Sequence, residues 1–304
     1  MKKESKSVSL FFLGKGGVGK STSAALIAVY LANQGKNVIL VSMDPAHNQS
    51  DIFETSLSEK PYNLTNNLFL KEIDINYWIK NYLTEVESQI KHTYSYLTAL
   101  NLENYLDVIK FSPGIEEYAM LLAYREIKQK FNEKDYIIFD MPPTALTLKF
   151  FGLPKLSRLW LEKLLDLRNA IIKKREIITK VKFGNTEIEK DKILNKLNNQ
   201  IEDYTAVSEE FEDENKTILN LVMNTDKLSF SESELIVNKL NMFNLSISNI
   251  IINKMLQGFS FKEIQKRFNH KSIKTFPLSK TPLIGLSSLK NYIASDISLE
   301  GYKL

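Results

Sequence analysis

The sequence predicts an α/β fold with a mostly parallel, doubly wound sheet flanked by helices. Short β-branched or apolar runs recur along the 304 residues, and helix-length segments separate most of them. The first run, 8–13, passes through a glycine-rich loop directly into a helix-forming segment. With 43% hydrophobic residues the chain can bury a substantial core. We therefore expect a single domain over residues 1–304.

The alternation of predicted strands and helices is interrupted twice. The predicted strands are 8–13, 37–41, 68–73, 107–111, 136–140, 218–223, 248–253 and 273–276. Residues 74–106 are helical in composition and rich in Tyr, and residues 156–214 are helix-forming except around 183–186. Apolar residues at helical spacing on both sides of that break predict an antiparallel helical hairpin. We expect 74–106 and 156–214 to form one helical subdomain.

Composition excludes several classes of function. The chain has no cysteine, which rules out disulfides, thiolate metal sites and a nucleophilic thiol. The net charge of +4 is spread over mixed-sign surfaces without a long basic block, so no nucleic-acid partner is expected. No run approaches the roughly 20 apolar residues of a membrane helix, and the first apolar run is too short for a signal peptide. These features predict a cytoplasmic protein.

The loop after the first predicted strand has the composition of a phosphate-binding loop. It reads G-K-G-G-V-G-K-S from Gly14 to Ser21 and fits G-x-x-x-x-G-K-[ST] between a strand and a helix. Its glycines leave room for backbone N–H groups around a phosphate, at the positive end of a helix dipole. The predicted ATP contacts are Gly14, Gly16, Gly17, Val18, Gly19, Lys20, Ser21 and Thr22, with Lys20 on the β/γ oxygens and Ser21 on Mg²⁺.

A second lysine, Lys15, directly follows the first glycine of the loop. The form K-G-G-x-G-K-[ST] resembles the deviant Walker A loop of the nitrogenase iron protein, MinD/ParA and arsenite-pump ATPases. In that class the extra lysine reaches the nucleotide bound by the partner subunit. The resemblance implies that Lys15 acts catalytically in trans, in a homodimer that encloses ATP. The alternative is a solvated loop lysine.

The segment 42–51, called switch I below, follows the second predicted strand. Its Asp44 lies at the carboxyl end of that strand, on the same sheet edge as the phosphate loop. A carboxylate there can orient or deprotonate the attacking water, and it can bind magnesium through water. The sequence from Asp44 to Asp51 resembles the D-P-A-H-x-x-S-D switch I of the arsenite-pump/guided-entry ATPase family, whose Asp positions the hydrolytic water. An ordinary Asp-Pro turn is the alternative.

The segment 140–148, called switch II below, begins with Asp140 at the end of another apolar strand. That placement suits a Walker B carboxylate that holds the water shell of magnesium. The segment resembles the family's D-T-A-P-T-G-H-T-L-R switch II, but Met141-Pro142 replaces Thr-Ala and Ala145-Leu146 replaces Gly-His. We expect loss of the glycine to stiffen this switch. Whether the changes lower hydrolysis is left open by the sequence.

Three more segments extend the resemblance in the right order and spacing. Residues 112–121 resemble the family's P-G-x-x-E segment, Asn253 stands where the family reads adenine, and 276–289, including Pro277, resemble its adenine loop. The Asn253 amide offers both a donor and an acceptor to the base. The resemblance thus spans from Val8 to about Leu289.

The resemblance implies a Mg²⁺-dependent ATPase that switches a homodimer between states. One branch of the family delivers hydrophobic membrane anchors to a membrane receptor; the other drives an arsenite-type anion efflux pump. The pump branch usually carries two ATPase halves and a cysteine metalloid site, which this chain lacks. Surplus apolar residues such as Leu159, Trp160 and Ile171 can line a client groove, or they can pack helices within the chain or across the dimer. A MinD/ParA-like scaffold or partitioning switch is a further alternative.

Overall fold

The computed structural model describes residues 7–46, 48–93, 112–183, 192–255, 264, 268, 271–299 and 302–304. Eight strands and eight helices lie within these ranges. The strands are β1 Val8–Leu13, β2 Val38–Ser42, β3 Tyr62–Thr65, β4 Leu68–Glu72, β5 Tyr136–Asp140, β6 Thr217–Met223, β7 Asn249–Met255 and β8 Ser272–Pro277. The helices are α1 Lys20–Asn33, α2 Asn48–Ile52, α3 Ile75–Thr93, α4 Ile115–Lys130, α5 Thr144–Phe183, α6 Lys192–Glu212, α7 Lys227–Met242 and α8 Leu286–Asp296.

The strands form one sheet in the order β3-β4-β2-β5-β1-β6-β7-β8. Every described pairing is parallel except β3 with β4. This mostly parallel sheet with flanking helices confirms the predicted fold class. The antiparallel edge strand β3 was not predicted, and the strand predicted at 107–111 lies outside the described residues.

Alternate side chains of the central strand β1 enter two separate cores. Phe11 stacks on Phe139 with ring centroids 4.8 Å apart, in the core beneath α4, α5 and α6. Leu10 and Phe12 point to the opposite face, into the core that contains α1. Strands covered on both faces read as continuous apolar runs, which is why β1 and β5 were recognisable from sequence.

The parallel strands place their carboxyl ends at one edge of the sheet. β1, β2 and β5 are neighbours there, so the loop after Leu13, the segment after Ser42 and Asp140 converge. The fold thus gathers the phosphate loop and both switches at the edge where open α/β sheets bind ligands.

Helices α5 and α6 pack along each other in antiparallel directions. Phe151 near the start of α5 contacts Phe211 near the end of α6, and Ser157 is hydrogen-bonded to Tyr204. Helix α3 joins α4 through the rings of Tyr82 and Tyr118, 4.7 Å apart. Residues 94–106 and the turn around 184–186 lie outside the described residues, so the subdomain built from 74–106 and 156–214 stays a prediction.

Five large apolar side chains of α5 face outward within this single chain. They keep 47 to 66% of their surface exposed and are Leu156, Leu159, Trp160, Leu167 and Ile171. All but Trp160 belong to the helix face that was predicted to pack the hairpin. They therefore do not pack the hairpin, whose contacts come from other sides of the helices. No described helix is both long enough and apolar enough to cross a membrane.

Candidate functional site

At two glycines of the phosphate loop, neighbouring atoms leave no room for a side chain. A Cβ on Gly14 would lie 2.2 Å from the carbonyl oxygen of Val222. Gly19 precedes α1 with φ 91°, and a Cβ there would lie 2.1 Å from Nδ2 of Asn253. L side chains rarely adopt this backbone conformation, so glycine is required at both positions.

A cavity of about 680 Å³ opens above the loop. The loop residues that line it are Gly16, Gly17, Gly19, Lys20, Ser21 and Thr22. Of the predicted contacts, Gly14 packs against Val222 and Val18 belongs to the core around α1; neither is among the residues that line the cavity. The loop therefore presents its glycines and the start of α1 to the cavity.

The two lysines of the loop occupy different positions. Lys20 is 5% exposed and its ammonium donates to the carbonyl oxygen of Lys15 at 3.4 Å, across the mouth of the loop. Lys15 is half-buried, and it is not among the described residues that line the cavity. The geometry thus places Lys20 at the site of its own chain and leaves Lys15 outside it.

Asp44 lies in the cavity wall, opposite the start of α1. Its carboxylate accepts a hydrogen bond from the backbone N–H of Ala46 at 3.0 Å, which fixes the turn into switch I. The side chain is 7% exposed. A buried carboxylate at the edge of the cavity can accept a proton from, or orient, a water molecule inside it.

Asp140 lies beneath the cavity and is fully buried. The Ser21 hydroxyl and the amide of Gln49 both donate to its carboxylate, Gln49 at 2.9 Å. Burial raises the pKa of Asp140 to about 6, and these two hydrogen bonds and the charge of Lys20 lower it only partly. Asp140 Oδ1 and Gln49 Oε1 are buried and lack a hydrogen-bond partner among the described residues. Two such oxygens beside Ser21 suit a hydrated, oxygen-seeking divalent cation.

The other side of the cavity is formed by the residues predicted to contact adenine. Asn253 is 8% exposed and donates from Nδ2 to the carbonyl of Val18 at 2.8 Å, so its carbonyl oxygen remains for the base. Pro277 lines the cavity, and its carbonyl accepts the hydroxyl of Tyr292 at 2.6 Å. Leu283 and Ile284 add apolar surface. The structure therefore brings both predicted adenine contacts to the same cavity as the phosphate loop.

Switch II is held in place by its threonines. Thr147 donates to the carbonyl of Pro142 at 2.6 Å, and Thr144 donates to Glu232 of α7 at 2.7 Å. Pro143 lines the cavity. Met141, one of the departures from the family pattern, is fully buried in the core under α5. The substitution thus adds packing at the base of switch II.

Sequence reasoning missed Gln49, which lies at this site, and Glu72, which contacts switch I from outside the cavity. Gln49 joins switch I to Asp140, and Glu72 at the end of β4 accepts two hydrogen bonds from Ser50 of α2. Gln49 occupies an open position of the switch I pattern, and Glu72 lies outside every motif. The available signal for Glu72 was its place at the carboxyl end of a predicted strand, on the edge where Asp44 and Asp140 also lie.

Comparisons with known proteins identify relatives over most of the chain. The family model described as anion-transporting ATPase matches residues 8–297. The chain is 33% identical to the putative arsenical pump-driving ATPase 2 of Aquifex aeolicus (strain VF5) over 299 residues, covering 93% of this chain and 96% of that protein. It is 32% identical to the ATPase ASNA1 homolog of Plasmodium vivax (strain Salvador I) over 265 residues. That alignment covers 83% of this chain and 65% of the relative, slightly less than two thirds of its length.

Proposed function

This chain belongs to the anion-transporting ATPase family and is an ATP hydrolase, and we propose that it works as a magnesium-dependent homodimer whose nucleotide state controls the capture of hydrophobic membrane anchors. The observation that carries the proposal is the position of the two loop lysines. Lys20 lies in the cavity of its own chain, whereas Lys15 does not line it. In a homodimer whose two loops face each other, Lys15 would reach the nucleotide bound by the partner chain.

The proposed chemistry is phosphoryl transfer from ATP to water. The backbone N–H groups of the loop and the ammonium of Lys20 bind the phosphate oxygens. Asp44 orients the attacking water and accepts its proton, which moves to the carboxylate as the bond to the terminal phosphorus forms and the bond to the ADP oxygen breaks. Lys15 of the partner stabilises the negative charge that spreads over the transferred group.

Magnesium, when bound, would neutralise charge between the β- and γ-phosphates. The Ser21 hydroxyl would ligate it directly, and Asp140 and Asp44 would hold its water molecules. The buried, unpartnered Oδ1 of Asp140 beside Ser21 supports this assignment. Gln49 keeps the Asp140 carboxylate oriented toward Ser21.

The exposed stripe of α5 supports a hydrophobic client. Leu156, Leu159, Trp160, Leu167 and Ile171 keep 47 to 66% of their surface exposed on one long helix, and a group of exposed apolar side chains is typical of an interaction site. A membrane anchor of about 20 residues needs such a surface to stay out of water. We propose that this face of α5 contacts the anchor in the cytosol, before transfer to a membrane receptor.

Two other functions remain as alternatives. The relative from Aquifex is named as a pump-driving ATPase, but this chain offers no thiol to sense a metalloid. A scaffold that dimerises on ATP without carrying a client would use the same nucleotide site. The exposed face of α5 favours the client over both.

The test is co-purification with a tail-anchored membrane segment, with and without ATP. We expect wild-type protein to retain the segment and the double variant Leu167→Asp/Ile171→Asp to lose it, while both bind ATP equally. Tyr62→Ser, at an exposed apolar residue of β3, is the matched control and should retain capture. ATP-dependent dimerisation without capture would favour the scaffold, and arsenite-stimulated hydrolysis would favour the pump.

A further inference from the structure

Switch I is bound to the end of β4 by a carboxylate outside the nucleotide site. Glu72 Oε1 accepts the backbone N–H of Ser50, and Glu72 Oε2 accepts the Ser50 hydroxyl, each at 3.0 Å. Glu72 is 4% exposed. A buried carboxylate with both oxygens on one residue fixes α2 against β4 in position and orientation.

The segment that follows α2 is bound to the first turn of α3 by a second carboxylate. Glu59 Oε1 accepts the backbone N–H of Asp74 at 2.8 Å and the indole N–H of Trp78 at 2.9 Å. Its other oxygen pairs with Lys71. Asp74 in turn accepts the backbone N–H of Asn76, which caps α3. Glu59 therefore ties the chain after switch I to the base of α3.

The two carboxylates are linked through short backbone contacts. The Ser50 hydroxyl accepts the N–H of Leu57 at 3.2 Å, and the N–H of Glu72 donates to the carbonyl of Ser58 at 3.1 Å. The segment from Ser50 to Glu59 is thus hydrogen-bonded at both ends to the junction between β4 and α3. It has little freedom to move without moving that junction.

The opposite side of α2 faces the nucleotide cavity. Asn48, Asp51 and Ile52 line the cavity, and the carbonyl of Ile52 accepts the N–H of Gly285 at the end of the adenine loop. A ligand that fills the cavity would contact α2 directly. Neither Glu59 nor Glu72 lines the cavity.

We propose that Glu72 and Glu59 are positioning residues that transmit displacement of switch I to α3. In this proposal the nucleotide contacts α2, Glu72 and Glu59 connect α2 and the segment after it to α3, and α3 moves in response. The inference rests on the proposed nucleotide cycle for its trigger. Two carboxylates, Glu72 and Glu59, thus connect the ATP site to α3, one of the helices of the predicted subdomain.

Trp78 makes this connection measurable. Its indole is 7% exposed and bound to Glu59, and the chain has two tryptophans. Trp160→Phe leaves Trp78 as the only tryptophan, so its emission reports the environment of the first turn of α3. In that background we expect ATP with Mg²⁺ to shift the Trp78 emission.

Glu72→Gln and Ser50→Ala each weaken the two-point contact between Glu72 and Ser50, and neither residue lines the nucleotide cavity. We expect Glu72→Gln and Ser50→Ala each to lose most of the ATP-induced change in Trp78 emission. ATP affinity, measured by calorimetry, should stay within about threefold of the parent, because the coupling between the ATP site and α3 can be lost while ATP still binds. Ser50→Thr keeps the hydroxyl and should retain the response. Glu133→Gln, an exposed carboxylate in the loop before β5, is the control and should also respond.

The outcomes separate this inference from the proposed function. Failure of the parent protein to bind ATP would overturn the proposed function and the trigger with it. ATP that binds without changing Trp78 emission, or an emission change that persists in Glu72→Gln and Ser50→Ala, would overturn the inference alone. Thermal melting of each variant establishes that a lost response occurs in folded protein.

Discussion

Gln49 donates from one amide nitrogen to the Asp140 carboxylate at 2.9 Å and to the main-chain oxygen of Ser21 at 3.0 Å. Gln49 and Asp140 are both fully buried. One side chain of switch I thus contacts two of the three residues assigned to magnesium, Ser21 and Asp140. The metal site and switch I therefore cannot be arranged independently.

Replacing Gln49 should weaken metal binding. In Gln49→Leu the Asp140 carboxylate loses a buried hydrogen bond, and we expect the affinity for Mn²⁺ in the presence of ADP to fall about tenfold, as is common when a partner of a metal ligand is removed. Electron paramagnetic resonance of Mn²⁺ measures this without turnover. Gln34→Leu, at the exposed end of α1, is the control. Unchanged Mn²⁺ affinity in Gln49→Leu would contradict the role.

Replacing Asp44 should separate binding from chemistry. Asp44→Asn keeps the shape of the side chain but cannot accept a proton, so we expect kcat to fall by about 100-fold or more while ATP still binds. Steady-state kinetics and nucleotide titration measure the two effects. Near-normal turnover in this variant would refute the assignment of Asp44 to the attacking water.

The buried charge of Asp140 should cost stability in the nucleotide-free protein. Folding raises its pKa from 3.8 to about 6, so the folded chain binds more protons than the unfolded chain between these values, and its stability falls as pH rises through this window. Above about pH 6 the cost is on the order of 3 kcal/mol.

Asp140→Asn removes that cost. The nucleotide-free variant should melt at a higher temperature than wild type at pH 8, and the difference should shrink toward pH 4 because the wild-type carboxyl is then protonated. Comparing the two proteins cancels the titration of the other carboxylates. A variant that is less stable than wild type at pH 8 would show that the Asp140 charge is better compensated than its burial indicates.

Asn253 should set the choice of base. Asn253→Asp removes the donor to the Val18 carbonyl and leaves a carboxylate that only accepts hydrogen bonds, which suits the paired donors of guanine better than adenine. We expect ATP affinity to fall and the ratio of GTP to ATP affinity to rise, both measured by competition with a labelled nucleotide. Asn67→Asp, in the turn between β3 and β4, should leave the ratio unchanged. An unaltered ratio in Asn253→Asp would remove Asn253 from the base site.

The part of the fold that sequence predicted is the part with strong local patterns. β1 and β5 are continuous apolar runs, and the loop from Gly14 to Ser21 joins a strand to a helix. β3 was missed because it is short, polar and exposed at the sheet edge. The Asn66-Asn67 pair between it and β4 was its one signal, since two such residues often form a hairpin turn.

The site residues that lie in local sequence motifs were predicted, and those that act through tertiary contacts were not. Asp44 and Asp140 stand at strand ends inside motifs, and the cavity gathers Asp44 with the loop, Asn253 and Pro277. Gln49 and Glu72 act through tertiary contacts that no spacing encodes. The apolar face of α5 was recognised, but helical periodicity does not specify whether a partner comes from the same chain.

In the proposed homodimer, Lys15 of each chain completes the nucleotide site of its partner. We expect Lys15→Ala and Lys20→Ala each to hydrolyse ATP poorly as homodimers. In a mixed dimer the Lys15→Ala chain keeps its own Lys20 and receives Lys15 from the Lys20→Ala chain, so one site is complete. We expect that mixing the two inactive variants restores ATP hydrolysis. A mixture that forms mixed dimers, shown by differently tagged chains, yet stays as inactive as its components would contradict it.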